Sequence, residues 1–226
     1  MKKIIMIFGP PGSGKGTQAN LLAGKLGLIH FDTGRYIEQV VHDSTRKNDA
    51  EIQRERKAFD SGKLNSPAWV YKIMVAKTQD LIKSSFGMIF SGSPRTTFEA
   101  FTEGKRKGLI EMFEKGYGKE NVVPIYLKVR PATSIKRNSN RLVCSVCGLP
   151  ALANVDHRKG CPVCNGKLHR RTLDVPAVIK VRLKEYDERT KPILEGLKKR
   201  GYRIITVNGE QVPYKVFETI LARLHK

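Results

Sequence analysis

Short apolar runs alternate along this chain with longer segments of mixed polar and apolar residues. The runs predict strands at Ile4–Phe8, Leu28–Phe31, Met88–Phe90, Ile125–Val129 and Arg203–Val207. Several of them are nearly continuous in apolar residues, which is typical of strands buried on both faces of a parallel sheet.

The segments between these runs show helical spacing. Apolar residues within 19–26 recur every three or four positions, and Gly27 is a natural end for that helix. A second helical pattern starts near Asp174, a candidate N-cap, and carries Pro176 in its first turn. We expect Pro192 to kink this helix, because proline lacks a backbone N–H and its ring crowds the preceding turn. Strands that alternate with helices in this way predict an α/β doubly wound fold.

Two segments interrupt this alternation. Residues 32–66 are polar, charged and helical in composition, and residues 138–174 contain every cysteine together with several glycines and prolines. We therefore expect one core domain built from 1–31, 67–137 and 175–226, into which these two segments are inserted.

A glycine-rich segment joins the first predicted strand to the first predicted helix. Glycines allow successive backbone N–H groups to converge on a phosphate, the helix N-terminus adds its dipole, and a lysine reaches the β- and γ-oxygens. The general pattern has Ser or Thr directly after the lysine, whereas Gly16 stands there and Thr17 follows. A glycine-rich turn without a ligand is the alternative reading. The candidate phosphate-binding residues are Gly12, Ser13, Gly14, Lys15, Gly16 and Thr17.

The chain is strongly basic. Its 226 residues include 42 Lys plus Arg and 21 Asp plus Glu, which gives a formal net charge of +21. A charge of this size calls for anionic partners such as nucleotides, nucleic acid or an anionic membrane surface. Because no apolar run approaches the roughly 20 residues that span a bilayer, we expect no transmembrane helix. We expect no signal peptide either, because the first apolar stretch leads into glycines instead of a cleavage site.

The four cysteines of the chain form two CxxC pairs separated by thirteen residues. This spacing is typical of a tetrahedral Cys₄ zinc ribbon, in which each CxxC presents two thiolates to one ion. Because the protein fills all four ligand positions, we expect the zinc to be structural. Four cysteines confined to one segment also indicate a reducing compartment, so we expect a cytoplasmic protein. Two disulfides or four unrelated thiols are the alternatives. The predicted ligands are Cys144, Cys147, Cys161 and Cys164.

Several motifs give the chain a resemblance to one family along nearly its whole length. The string GPPGSGKGTQ at residues 9–18 resembles the P-loop of adenylate kinases and other nucleoside-monophosphate kinases, which carry Gly-Thr after the lysine. Further similar positions follow in order: Asp32-Thr33-Gly34, Gly62-Lys63-Leu64, Ser91–Thr96, Arg137 and Arg141 before the cysteines, Arg171 and Arg182 after them, and Val207-Asn208-Gly209.

The resemblance implies an architecture and a reaction. The architecture is a P-loop three-layer α/β fold with a five-stranded parallel sheet. Residues 32–66 would be a helical insert that binds the nucleoside monophosphate (NMP), and residues 138–174 a zinc-ribbon lid. The reaction is ATP + AMP ⇌ 2 ADP, with Mg²⁺ accompanying ATP. The implied substrates are ATP and AMP, and the implied assembly is a monomer or a small homo-oligomer.

The resemblance also implies roles for individual residues. The acceptor phosphate is largely dianionic at neutral pH and needs no general base, so the chemistry requires charge neutralisation, alignment and exclusion of water. Arginine suits this task because its planar fork holds two phosphate oxygens at once. The implied catalytic cations are Lys15, Arg137, Arg141, Arg171 and Arg182 around the donor and the transferring group, and Arg95 on the acceptor phosphate. The implied further nucleotide contacts are Thr33, Gly34, Arg35, Leu64, Gly92, Glu99 and Gln211.

Some positions depart from the family pattern. Ser91 stands where the family usually has an aspartate that holds a magnesium-bound water, and Glu38 stands where an arginine usually binds the acceptor phosphate. Glu99 stands where a glutamine usually reads adenine. A carboxylate only accepts hydrogen bonds and suits the adjacent donors of guanine, so the hypothesis is AMP as main acceptor with relaxed choice that includes GMP. A Glu99 that turns outward or pairs with an arginine is the alternative.

A binding protein is the competing class of function. In that reading, a P-loop protein with weakened catalysis uses its basic surface and zinc ribbon to engage RNA. Basic residues such as Lys105, Arg106 and Lys107 are scattered with few interleaved aromatics, unlike a base-stacking platform. We therefore expect the enzyme, and nucleic acid is the partner that the competing reading would require.

Overall fold

The computed structural model describes residues 3–84, 86–151 and 160–224 and is organised around a five-stranded parallel sheet. The strand order is β2-β3-β1-β4-β8, so the first strand is central. These strands are β1 (Ile4–Phe8), β2 (Ile29–Phe31), β3 (Met88–Phe90), β4 (Val122–Lys128) and β8 (Ile205–Asn208). The prediction of a parallel sheet is confirmed, and the bounds of β1 and β3 are as predicted.

Helices connect the strands and cover both faces of the sheet. One core cluster includes Ile4, Met6 and Phe90, and the other includes Ile5, Ile7 and Ile89, so successive residues of β1 and β3 point to opposite cores. The helices are α1 (Lys15–Leu26), α2 (Thr33–Val41), α3 (Ala50–Asp60), α4 (Pro67–Ser84), α5 (Thr97–Ala100), α6 (Leu109–Tyr117), α7 (Pro131–Ser139), α8 (Pro176–Glu185), α9 (Pro192–Lys199) and α10 (Pro213–Leu224). In the described ranges, none of them has the length and apolar composition to cross a membrane.

The helix predicted to start at Asp174 differs from the expectation at both ends of its pattern. The N-cap position is Val175, so the predicted cap is wrong. Asp174 ends a short 3₁₀ turn and turns its carboxylate toward arginines instead of capping the helix. A π-helical turn at Tyr186–Thr190 interrupts the α-helical pattern, and Pro192 stands in the first turn of α9. Proline tolerates a first helical turn, where its missing N–H has no partner to lose.

The two interrupting segments each have local structure of their own. Residues 32–66 contain α2 and α3, which pack on each other. Residues 138–174, called the cysteine segment below, contain a small antiparallel sheet. Its order is β6-β5-β7, with strands β5 (Leu142–Cys144), β6 (Pro150–Ala151) and β7 (Leu168–His169). Residues 152–159 of this predicted domain, and residues 1–2, 85 and 225–226 of the predicted core, lie outside the described residues.

Parallel strands bring their carboxyl ends to one edge of the sheet. The glycine-rich loop follows β1, Asp32 follows β2, and Ser91 follows β3. In open α/β sheets, ligands bind in the crevice outside these ends. The fold therefore gathers the predicted phosphate loop and the ends of its neighbouring strands in one place.

Candidate active site

A cavity of about 1160 Å³ lies at this edge of the sheet. Its walls come from the loops after β1, β2 and β3, from α2, from α8 and from the cysteine segment. Elements distant in the chain thus meet around one space large enough for nucleotide-sized ligands.

The loop after β1 has the backbone geometry of a phosphate cradle. Gly12 and Gly14 have φ angles of +77° and +92°, which favour glycine, and α1 begins directly afterwards at Lys15. A Cβ atom on Gly12 would come within 2.6 Å of Nδ2 of Asn138, so a larger residue has no room there. The Lys15 ammonium donates to the carbonyl oxygens of Gly9 (2.7 Å) and Pro10 (2.9 Å), which folds its side chain back over the loop.

Five of the six predicted catalytic cations line the cavity together. Burial, reinforced by the charges of Arg95, Arg182 and Arg141, lowers the pKa of Lys15 to about 7. Burial and the charges of Arg141 and Arg171 likewise lower the pKa of Arg182 to about 9. Burial is the larger cause of both shifts, and repulsion among the neighbouring cations adds to it. A polyanion in this cavity would relieve that repulsion.

One buried carboxylate balances part of this charge. Asp174 accepts two hydrogen bonds from Arg141, at 2.8 and 2.6 Å, and lies 3.4 Å from the Arg182 guanidinium. Its side chain is only 2% exposed. This bidentate pair fixes the direction in which both guanidinium groups face the cavity.

Helix α2 contacts the cysteine segment across the cavity. Glu38 accepts a hydrogen bond of 2.9 Å from the Arg171 guanidinium. The Arg35 guanidinium lies over Gly148, where a Cβ atom would come within 2.5 Å of its Nη1. Glu38 therefore pairs with one of the predicted catalytic cations.

The four cysteine thiols converge on one point. Their Sγ atoms all lie within 4.8 Å of one another, with Cys144 and Cys164 at 3.4 Å and Cys147 and Cys161 at 3.7 Å. These separations are far longer than a disulfide bond of about 2.05 Å, so the two-disulfide alternative and the alternative of unrelated thiols are both wrong. Four thiolates around Zn²⁺ at about 2.3 Å require sulfur separations close to those seen, so the donor set fits zinc.

Several predicted site residues do not line the cavity. Arg137 donates to the carbonyl oxygens of Gly209 (2.7 Å) and Glu210 (3.0 Å), next to Gln211 on the loop after β8. Ser13 and Thr33 are buried behind the cavity wall. The remaining predicted nucleotide contacts do line it: Gly12, Gly14, Gly16, Thr17, Gly34, Arg35, Leu64 and Gly92.

Glu99 is also absent from the cavity wall. Its side chain is buried, and its oxygens accept hydrogen bonds from the Arg95 backbone N–H (3.1 Å) and the Thr96 hydroxyl (2.8 Å). Burial raises the pKa of Glu99, and these two hydrogen bonds oppose the rise. The alternative in which Glu99 turns outward is wrong, because the carboxylate turns inward to cap the first turn of α5.

Comparison with known proteins adds an independent finding. A family model described as Adenylate kinase matches residues 7–202. The chain belongs to the adenylate kinase family. Curated members with this name include that of Chlamydia pneumoniae, 31% identical over 99% of this chain and 98% of the relative. The relative from Petrotoga mobilis is 32% identical over 92% of this chain and 90% of the relative. The relative from Chlamydia felis is 32% identical over 96% of this chain and 95% of the relative.

In this member of the adenylate kinase family, the cavity-lining residues that sequence reasoning missed include a hydrogen-bonded pair beside Ser91. Asn20 on α1 and His30 on β2 face the cavity beside Ser91. Nδ1 of His30 lies 2.6 Å from the Asn20 side-chain oxygen, and Nε2 lies 2.6 Å from the Ser91 hydroxyl. The available signal was position alone, since His30 stands close to the carboxyl end of a predicted parallel strand.

Proposed function

We propose that this chain transfers the γ-phosphoryl group of ATP to AMP, reversibly, to give two ADP. The observation that carries the proposal is the convergence of five predicted catalytic cations on one cavity over a P-loop. Burial, reinforced by repulsion among these cations, lowers the pKa of both Lys15 and Arg182. Two nucleotides placed end to end supply the matching negative charge. The family and its relatives support the same reaction.

The residues divide between the two substrates by position. Backbone N–H groups of the P-loop and the Lys15 ammonium bind the donor phosphates, at the N-terminus of α1. Arg141, Arg171 and Arg182 neutralise the charge that spreads over the transferring group. Arg95, on the loop after β3, binds the acceptor phosphate. Since that phosphate is already dianionic, no side chain needs to remove a proton.

The two inserted segments complete the proposed site. Residues 32–66 are the NMP-binding insert, residues 138–174 the zinc-bearing lid, and 1–31, 67–137 and 175–226 the core. Their contact across the cavity, through Glu38 and Arg171, supports a closed arrangement that excludes water from the reacting groups. Arg137, on α7, and Gln211, on the loop after β8, belong to the donor side, next to the adenosine of ATP.

Both metal ions have donors that suit them. Mg²⁺ enters with ATP. The Thr17 hydroxyl and Ser91, which follows β3, would hold the ion, and the ion would neutralise the phosphate charge. The four cysteines would hold one structural Zn²⁺, since all four positions are protein ligands. Their confinement to one reduced cluster supports a cytoplasmic location.

AMP is the acceptor that the family favours, and a relaxed choice that extends to GMP remains a prediction from Glu99. The competing RNA-binding reading is not favoured, because the family and the composition of the cavity both point to an enzyme. A monomer or a small homo-oligomer is the proposed assembly.

A coupled assay of ADP formation tests the proposal. ATP and Mg²⁺ are offered with AMP, GMP, CMP or UMP, and we expect turnover with AMP to be fastest. Arg95→Ala should lower kcat/KM for AMP about a hundredfold or more, the usual cost of removing one preorganised charge from a transition state. Lys107→Ala is the matched control, because Lys107 is exposed and pairs with Glu111, and neither residue lines the cavity. Absence of turnover with every acceptor would overturn the proposal.

A further inference from the structure

Three polar side chains form a hydrogen-bonded row at the carboxyl ends of β2 and β3. Asn20 contacts Nδ1 of His30 at 2.6 Å, and Nε2 of His30 contacts the Ser91 hydroxyl at 2.6 Å. All three line the cavity, on the same edge as the P-loop residue Thr17. Ser91 is 6% exposed, so its hydroxyl has little contact with bulk solvent.

The direction of this row depends on the tautomer of His30, which we assign from its contact with Asn20. Asn20 presents its amide oxygen, which only accepts, so Nδ1 of His30 carries the hydrogen. In a neutral imidazole the other nitrogen is then an acceptor, so Nε2 takes the hydroxyl hydrogen of Ser91. The Ser91 oxygen retains lone pairs and has no hydrogen left to give. It can therefore only accept from a further group in the cavity.

The Ser91 hydroxyl lies at the position that helps to hold magnesium in P-loop proteins. There the magnesium shell is held by the hydroxyl of the P-loop and by an acid on a neighbouring strand. Strand β3 pairs with β1 and ends at Phe90, and the next residue is Ser91, which is neutral. Water bound to a divalent cation is a strong hydrogen-bond donor and needs an acceptor that does not rotate away.

We propose that Asn20 and His30 are positioning residues that lock the Ser91 hydroxyl as an acceptor for the water shell of the nucleotide-bound magnesium. A neutral hydroxyl with a fixed orientation thereby does part of the work of a carboxylate. This inference rests on the proposed nucleotide site, and it concerns binding of the metal–nucleotide complex instead of turnover.

Calorimetry with a non-hydrolysable ATP analogue, in the presence of Mg²⁺ or of a chelator, separates binding from turnover, because this ligand cannot react as ADP would. His30→Leu removes the acceptor for Ser91, and we expect the gain in affinity that Mg²⁺ provides to fall about tenfold, the equivalent of one hydrogen bond to a charged group. Affinity for the analogue without metal should change less than about twofold. His30→Gln should retain the magnesium gain, because a glutamine carbonyl accepts from Ser91 while its amide donates to Asn20.

Two further measurements keep the test independent of folding and of catalysis. Nitrogen NMR of the imidazole should show the hydrogen on Nδ1 of His30 in the wild-type protein. His42→Leu is the matched control, since His42 does not line the cavity and contacts the backbone carbonyl of Glu38 and the carboxylate of Asp60. This variant should leave the gain in affinity from Mg²⁺ unchanged. A hydrogen on Nε2 of His30, or an unchanged magnesium gain in H30L, would overturn the inference. Wild-type protein that binds the magnesium complex of the analogue but does not phosphorylate AMP would overturn the proposed function alone.

Discussion

Asp174 offers the sharpest test of how charge is balanced in the cavity. The D174N variant keeps the size of the side chain and one carbonyl acceptor but removes the negative charge that Arg141 and Arg182 share. Both guanidinium groups would then lie among the other cations of the cavity without a counter-charge. We expect the folded state to lose stability for this reason.

The expected loss is worked from burial. Removing one partner of a buried ion pair costs about 3–5 kcal/mol. Because the guanidinium groups remain 21% and 22% exposed while the carboxylate is 2% exposed, the lower end, about 3 kcal/mol, applies. For a chain of this length that corresponds to a fall in Tm of about 6–12 °C.

Thermal unfolding followed by circular dichroism measures this shift. D187N is the matched control, because Asp187 and Lys191 form an exposed pair 3.7 Å apart, and it should leave Tm unchanged. Saturating ADP should narrow the gap between D174N and wild type, since its phosphates replace the missing charge. A Tm for D174N within about 2 °C of wild type would refute the idea that this carboxylate holds the arginines in place.

Three other predictions address separate parts of the site. At pH 8, nucleotide binding should take up close to one proton, because Lys15 with a pKa of about 7 is largely neutral beforehand and phosphate raises that pKa. Affinity for the nucleotide should therefore fall as pH rises above 7. Calorimetry in Tris and in HEPES measures the proton uptake, and an uptake that persists in K15R would contradict the assignment to Lys15. Metal analysis should find one zinc per chain. Removal of the zinc should expose four reactive thiols and unfold the small sheet of the cysteine segment. Four thiols that already react in the untreated protein would contradict the zinc site. The guanine hypothesis requires the Glu99 carboxylate to leave its bonds with Arg95 and Thr96 and to face the bound base. In that case E99Q should lower turnover with GMP relative to AMP, because the amide no longer matches the two donors of guanine. Wild-type protein without GMP turnover would end the guanine hypothesis.

Local pattern was sufficient for much of the sheet. The uninterrupted apolar runs of β1 and β3 have the predicted bounds, because strands buried on both faces need apolar residues at every position. Strand β4 was predicted to start at Ile125 and starts at Val122, with Pro124 inside it. Pairing with β8 begins only at Ile125, so at Pro124 the strand has β1 as its one neighbour in the sheet, and proline is tolerated there.

Residues of the site could be predicted only where a sequence motif or the family resemblance identified them. The P-loop and the cysteine spacing are local signals, and their residues converge as expected. Asp174 was predicted as a helix cap from its neighbours, whereas its partner Arg141 lies 33 positions away. The contact between Glu38 and Arg171 spans 133 positions, and no local pattern reports such a distance. Long-range pairs between charged side chains were therefore the part that required the structure.

The ion pair between Glu38 and Arg171 has a thermodynamic consequence for the substrates. A phosphate that uses Arg171 has to displace a carboxylate that already accepts from it at 2.9 Å. Binding is then an exchange of one anion for another, and its net free energy is the difference between two charge-assisted hydrogen bonds. The cost of releasing Glu38 is the same for every ligand that takes this hydrogen bond, so it lowers their affinities by one common factor. A ligand that leaves Arg171 paired with Glu38 does not meet this cost, so Glu38 lowers the advantage that a ligand gains by contacting Arg171.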